Sequence, residues 1–359
     1  MVLLKNDGIL PLKKGSRVAF IGAFAKNPRY QGGGSSHINS FRVTGALEAA
    51  EGMADITYAE GYGLEKDEID EALVKEAVKA AKEAEVAVIF AGLPDAFESE
   101  GYDRVHMKMP NCQNHLIHEV CNVQPNVVVV LHNGSPVEMP WADEVKGILE
   151  TYLGGQAVGA AEAKILFGDA NPCGKLAETI PYKLSDNPSY LNFPGDGETV
   201  EYKEGVFVGY RYYDKKEMPV RYPFGYGLSY TEFAYSNLKL DKKSMKDTDT
   251  LTVSVDVTNT GSREGKEIVQ LYVADLTGSA NRPVRELKNF VKVSLAPGET
   301  KTVQMGTEQT KFRMVQCKLH DWYAASGTYE IQIGKSSRRD PAFRYGGSDN
   351  GHNSTGGDS

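Results

Sequence analysis

Residues 98–104, Glu98-Ser99-Glu100-Gly101-Tyr102-Asp103-Arg104, place three acids, an aromatic ring and an arginine in one turn. The turn follows the apolar run Val86–Gly92 directly. A carboxyl group at the end of a buried strand can have its pKa raised and serve as a general acid. Tyr102 and Arg104 beside it can grip a polar substrate. Glu98 and Glu100 are two residues apart, so on extended backbone they point the same way. Like charges that close are expected to raise one pKa, which suits an acid. They make a poor nucleophile–acid pair, because two carboxyls on one flexible turn do not face each other across a bond to be cleaved. A nucleophile is therefore expected elsewhere. The plain alternative for the turn is solvated acidic surface.

Three further apolar runs resemble Val86–Gly92: residues 17–22, 126–132 and 147–153. Near-continuous β-branched runs of this length suit strands covered on both faces. Between them, residues 67–85, 112–123 and 156–167 carry apolar residues at helical spacing. The alternation predicts a doubly wound, mostly parallel α/β sheet domain over residues 1–190. Such sheets bind ligands at the carboxyl ends of their strands. The acidic turn follows one such end. Gln31-Gly32-Gly33-Gly34-Ser35-Ser36-His37 follows another, and His132-Asn133-Gly134-Ser135-Pro136 a third. Three polar or glycine-rich loops are thus expected on one edge. The glycine triplet does not match the spacing of a dinucleotide fingerprint, and the serines lack a nucleophile-elbow pattern. A loop that contacts a polar substrate and a simple flexible loop both fit it.

Past residue 170 the texture changes. Residues 191–232, rich in Pro, Gly and Tyr, read as an irregular connector wrapping the first domain. Their tyrosines suit packing better than sugar stacking, and Trp141 and Trp322 are read as core or interface residues. From 233 to 340 short alternating runs, such as residues 251–257, are divided by turn signals such as Asn259-Thr260-Gly261. That pattern predicts an all-β immunoglobulin-like sandwich. Residues 341–359 are expected to be a flexible tail or linker.

The 359 residues carry a formal net charge of −8, which argues against nucleic-acid and anionic-membrane partners. No run has the length to span a bilayer. The opening Met1-Val2-Leu3-Leu4-Lys5-Asn6-Asp7 turns polar too soon for a signal peptide. Cys112, Cys121, Cys173 and Cys317 form no C-x-x-C pair and read as free thiols of a reducing compartment, hence the cytoplasm.

Glu-Ser-Glu-Gly-Tyr-Asp-Arg resembles the acid/base loop of glycoside hydrolase family 3, the β-glucosidase family. The resemblance runs over about residues 2–340. It includes Val2-Leu3-Leu4-Lys5-Asn6-Asp7-Gly8, His132-Asn133-Gly134-Ser135-Pro136-Val137-Glu138-Met139-Pro140-Trp141 and Gly154-Gly155-Gln156. Tyr222-Pro223-Phe224-Gly225-Tyr226-Gly227 looks like the family's link to its fibronectin type III-like domain. Arg282-Pro283-Val284-Arg285-Glu286-Leu287 is similar to a stretch within that domain.

By resemblance, Glu100 is the general acid/base of a retaining β-glucosidase acting on terminal non-reducing β-D-glucosyl residues. Gln31, Gly33, Ser35, His37, Glu98, Tyr102 and Arg104 would border substrate. The Asp103–Arg104 pair fits a structural clamp equally well. No cofactor or metal is implied. The family's nucleophile is an aspartate on a (β/α)₈ barrel, and nothing in this sequence reads as eight strand–helix repeats. The expected partners are therefore a barrel, in cis or in trans, and a β-linked gluco-oligosaccharide or aryl glucoside. A barrel placed after these domains, a fragment and a two-chain enzyme all fit. A non-catalytic sugar-binding or assembly module is the alternative function. β-Xylosidase and N-acetylglucosaminidase are the alternative specificities.

Overall fold

The β-branched runs become the middle of a six-stranded sheet. Its strands are β1 (Val2–Asn6), β2 (Arg17–Ile21), β3 (Asp55–Ala59), β4 (Val86–Gly92), β5 (Val127–His132) and β6 (Gly147–Glu150). The order is β1-β6-β5-β4-β2-β3, parallel throughout except for β1 against β6. The computed structural model describes residues 1–246, 249–307, 312–316, 320–338 and 343–348. Every residue of β5 is buried, as expected for a strand covered on both faces. Helices α1 (Ala46–Ala49), α2 (Glu71–Glu83), α3 (Asn111–Cys121) and α4 (Val158–Leu166) cross between strands. Asp70 caps α2 by accepting from the Ala72 and Leu73 amides, and Val74, Ala77, Ala80 and Ala81 form its buried stripe. In the core, Phe20 meets Phe90 edge-on at 5.0 Å.

The parallel register pairs Gly92 with His132. Gly92 has φ +146°, and a Cβ there would overlap the His132 backbone. Glycine is therefore required where β4 releases the chain into the acidic turn.

The chain divides into two units. The first comprises Met1–Lys175, Ile180–Asp186 and Gly227–Tyr230, and the second Leu176–Thr179, Asn187–Tyr226 and Thr231–Ser359. Most of the stretch read as a connector thus belongs to the second unit, where it forms the short helix α5 (Tyr210–Lys215). Tyr210 stacks on Phe224 at 4.6 Å and accepts a hydrogen bond from the Leu287 amide, a packing role.

The rest of the second unit is antiparallel. Its strands are β7 (Phe233–Leu240), β8 (Leu251–Asn259), β9 (Gly265–Asp275), β10 (Glu286–Leu295), β11 (Thr300–Thr307), β12 (Met314–Gln316), β13 (Asp321–Tyr323), β14 (Thr328–Gly334) and β15 (Phe343–Ser348). They form the sheets β10-β9-β14-β15 and β11-β8-β7 and the hairpin β12-β13. Val253, Val255 and Val257 from β8 pack in one cluster with Val269, Leu271, Ile331 and Ile333. This is the two-sheet sandwich that strict alternation implies.

The structure also differs from expectation near the end of the chain. A tail was expected from residue 341, but β15 extends the β14 edge with six paired residues. Backbone pairing along an open edge needs no apolar composition, so the Gly- and Ser-rich sequence hides it. The remainder of that tail, like Cys317, lies outside the described residues. Trp141 is buried at 2 % exposure, as a core residue, and Trp322 is 60 % exposed.

Candidate active site

Strands β2, β4 and β5 are neighbours and parallel, so the loops leaving their carboxyl ends share one edge. Hydrogen bonds show that all three meet. The Ser35 amide and hydroxyl both donate to Glu100 Oε2, each at 2.5 Å. The Gly134 amide donates to Glu98 Oε2 at 2.7 Å, and the Ser135 hydroxyl donates to Glu98 Oε1. Arg104 Nη1 donates to Ser135 Oγ at 2.8 Å and to the Pro136 carbonyl at 3.0 Å.

The pivot is Arg29, 6 % exposed. Its Nη1 donates to Glu98 Oε2 and to the Leu93 carbonyl, both at 2.8 Å. Its Nη2 donates to the Glu98 carbonyl at 2.8 Å, and Nε lies 3.0 Å from Asp95 Oδ1. A guanidinium fork is suited to such multiple anchoring. Both Glu98 oxygens are taken up by these contacts, so Glu98 is held within the scaffold while Glu100 stands exposed above it.

The glycine triplet has a steric purpose. A Cβ on Gly33 would collide with Ser99, and one on Gly34, at φ +77°, would collide with Glu100. Small residues let the 31–37 loop lie against the acidic turn. Gln31 Nε2 donates to the Ile38 carbonyl at 3.1 Å, and Gln31 Oε1 accepts from the Ile38 amide at 3.0 Å. The same Nε2 lies 3.1 Å from His37 Nδ1. Tyr102 donates to the Asp95 carbonyl at 2.8 Å. Of the residues expected to border substrate, Gln31, Glu98, Tyr102 and Arg104 therefore spend polar atoms on holding loops. Arg104 ties the turn to Ser135 and Pro136. Burial lowers its guanidinium pKa, and Glu98 opposes that shift.

The electrostatics of Glu100 overturn one expectation. Its pKa is lowered, first by the Ser35 hydroxyl and then by the Ser35 amide. Hydrogen bonds to the charged form favour ionisation. The depressed value means that the Ser35 contact helps the fold above the unfolded-chain pKa and is lost as pH falls through the folded pKa. Ser35→Ala should move the Glu100 titration midpoint upward, as followed by carboxyl carbon NMR. An unchanged midpoint would contradict this assignment.

Sequence reasoning missed Arg29. The available signal was an arginine in Asn27-Pro28-Arg29-Tyr30, between a strand end and the glycine triplet. Among the described residues no group of three or more His, Cys, Asp or Glu could hold a metal ion, and no helix is long and apolar enough to cross a membrane.

Residues 1–230 match the glycosyl hydrolase family 3 C-terminal domain, and residues 267–337 match the fibronectin type III-like domain. The chain is similar to thermostable β-glucosidase B of Acetivibrio thermocellus, 57 % identical over 343 residues, which cover 94 % of this chain and 45 % of that protein. It is 46 % identical over 350 residues to an exo-α-(1→6)-L-arabinopyranosidase of Bifidobacterium breve, covering 94 % of this chain and 46 % of the relative. The crystal structure of a Bifidobacterium adolescentis GH3 β-glucosidase superposes with a TM-score of 0.92 at 44 % identity, covering 97 % of this chain and 51 % of the other. The chain thus spans about half the length of these relatives.

Proposed function

We propose, since this chain belongs to glycoside hydrolase family 3, that it is the acid/base-bearing part of a retaining β-glycosidase, with Glu100 as the acid/base. The observation that carries this reading is the contrast within one turn. Glu98 is locked beneath by Arg29, Gly134 and Ser135, while Glu100 is exposed and hydrogen-bonded from the side by Ser35. A carboxyl held this way can reach a glycosidic oxygen.

In the first half-reaction Glu100 gives its proton to the leaving oxygen as a nucleophile attacks the anomeric carbon. In the second it takes a proton from water as the glycosyl-enzyme opens. The Ser35 donors favour the carboxylate needed in the second half. The protonated form needed in the first is favoured when substrate and a covering domain remove water from Glu100.

The nucleophile is assigned to a (β/α)₈ barrel outside these residues, in cis or in trans. Ile38, Phe41 and Val105 lie on the loops of the site and are exposed, Phe41 at 99 % and Val105 at 85 %. Bare apolar side chains there favour an incomplete enzyme over a closed sugar-binding module. Ser35, His37 and Tyr102 are proposed to border the leaving group. Gln31 and Gly33 shape the same rim, and Glu98 and Arg104 act from beneath it.

The proposed substrates carry terminal β-D-glucosyl residues, as the β-glucosidase relatives suggest. α-L-Arabinopyranosides are the second reading, from the Bifidobacterium breve relative. The cytoplasm is the proposed compartment, because Cys112, Cys121 and Cys173 are free.

The test is azide rescue. Glu100→Ala, with the chain joined to a family 3 barrel, should regain activity on an aryl β-glucoside with azide and yield the β-glucosyl azide. An α-azide product, or no rescue, would remove Glu100 from the role.

A further inference from the structure

Every large apolar side chain between residues 190 and 206 is exposed: Tyr190, Leu191, Phe193, Val200, Tyr202 and Val206, with Leu191 at 90 % and Tyr202 at 81 %. Single exposed hydrophobics are ordinary, but a dense run of them marks an interaction face. The stretch holds neither helix nor strand. Among the described residues its hydrogen bonds are all local. The Tyr190 amide donates to the Asn187 carbonyl, the Asp196 amide to the Thr199 carbonyl and the Phe207 amide to the Glu204 carbonyl. Asp196 Oδ1 accepts from the Glu198 and Thr199 amides. The turns are therefore defined, while the apolar side chains have no core to enter. From residue 210 the packing changes, and Tyr210 and Tyr213 are buried. A plain linker would be poor in large apolar residues, which this stretch is not. A loop of such length within a unit calls for a functional reason.

Two observations select what covers it. The matched region is 45 % of the Acetivibrio thermocellus relative and 51 % of the Bifidobacterium adolescentis chain, so each carries about as much chain again outside it. The second observation is charge. The charged residues from 187 to 208 are Asp196, Glu198, Glu201, Lys203 and Glu204, four acids against one base. Two copies of this chain meeting here would bring the same acids together across a two-fold axis, which is unfavourable. The matching surface is apolar at its centre and basic at its rim.

We propose that residues 187–208 are a docking strap by which the second unit holds the barrel domain assigned the nucleophile above, on an apolar face of that domain rimmed by Lys and Arg. Leu191 and Tyr202, the most exposed of the six, are its anchors. The strap gives the β-sandwich unit a task in assembly rather than in chemistry. The inference rests on the incomplete-enzyme reading, but not on Glu100 as the acid/base.

The test is hydrogen exchange, which needs no activity, on the chain joined to a family 3 barrel and on the chain alone. The amides of residues 190–206 should exchange at least tenfold more slowly in the joined protein, while the β8 amides exchange alike in both. Leu191→Ser together with Tyr202→Ser should return the strap of the joined protein to fast exchange. Both side chains are exposed, so the doubly substituted chain alone should melt as its parent does. Equal exchange of the strap in the two proteins would overturn the proposal. So would slow exchange in the chain alone, which on dilution to faster exchange would identify a second copy as the occupant. Slowing of the chain alone by cellobiose would make the strap a sugar platform and overturn it too. A failed azide rescue with a protected strap would sink only the acid/base reading, and an unprotected strap with successful rescue would sink only the docking.

Discussion

Glu100→Gln, in the chain completed by a family 3 barrel, should lower kcat/KM for an alkyl β-glucoside or cellobiose by about 10²–10⁴-fold, the usual worth of a general acid. On a dinitrophenyl β-glucoside kcat/KM should hardly change. That leaving group departs without a proton, and kcat/KM reports only steps up to its departure. kcat on the same substrate should fall, because the glycosyl-enzyme then waits for a base that is missing. Glutamine keeps the shape of Glu100 and can still accept from the Ser35 donors, so the loop itself is little disturbed. Equal losses of kcat/KM on both substrates would argue against an acid role.

Arg29→Met should be the most damaging single change to the first unit. The Arg29 side chain is 4 % exposed and that of Glu98 16 %. Removing the cation leaves a largely buried carboxylate unpaired and takes the donors from the Leu93 and Glu98 carbonyls. Breaking a buried pair this way costs about 3–5 kcal/mol. For a unit of this size that lowers the melting temperature by roughly 10 °C. Arg29→Lys keeps charge but loses the fork and should fall between the two. Thermal and urea unfolding of the isolated chain would check this. A loss under about 1 kcal/mol would mean that Arg29 is not the pivot.

The central sheet was legible because Val86–Gly92 and the 126–132 run are apolar at consecutive positions, which only a strand covered on both faces requires. β3 was not, because as an edge strand it reads Asp-Ile-Thr-Tyr-Ala and buries fully only Ala59. β1 was not, because its apolar residues Val2, Leu3 and Leu4 stand at the chain start without a pattern. The meeting of three loops at one edge followed from the strand–helix alternation of a parallel sheet, and the Ser35–Glu100 and Gly134–Glu98 contacts bear it out. Which of the two glutamates is exposed was not legible from spacing. It depends on Arg29, sixty-nine positions before Glu98, and no local pattern couples them. The raised pKa expected for Glu100 failed because two donors from Ser35 favour its charged form.

The most direct measurement is hydrolysis of an aryl β-glucoside by this chain alone and after mixing with a separately produced family 3 barrel domain. The account predicts no turnover alone and turnover on mixing that Glu100→Ala abolishes for unactivated glucosides. Turnover by the chain alone would place a nucleophile within these 359 residues and contradict the division of labour proposed here.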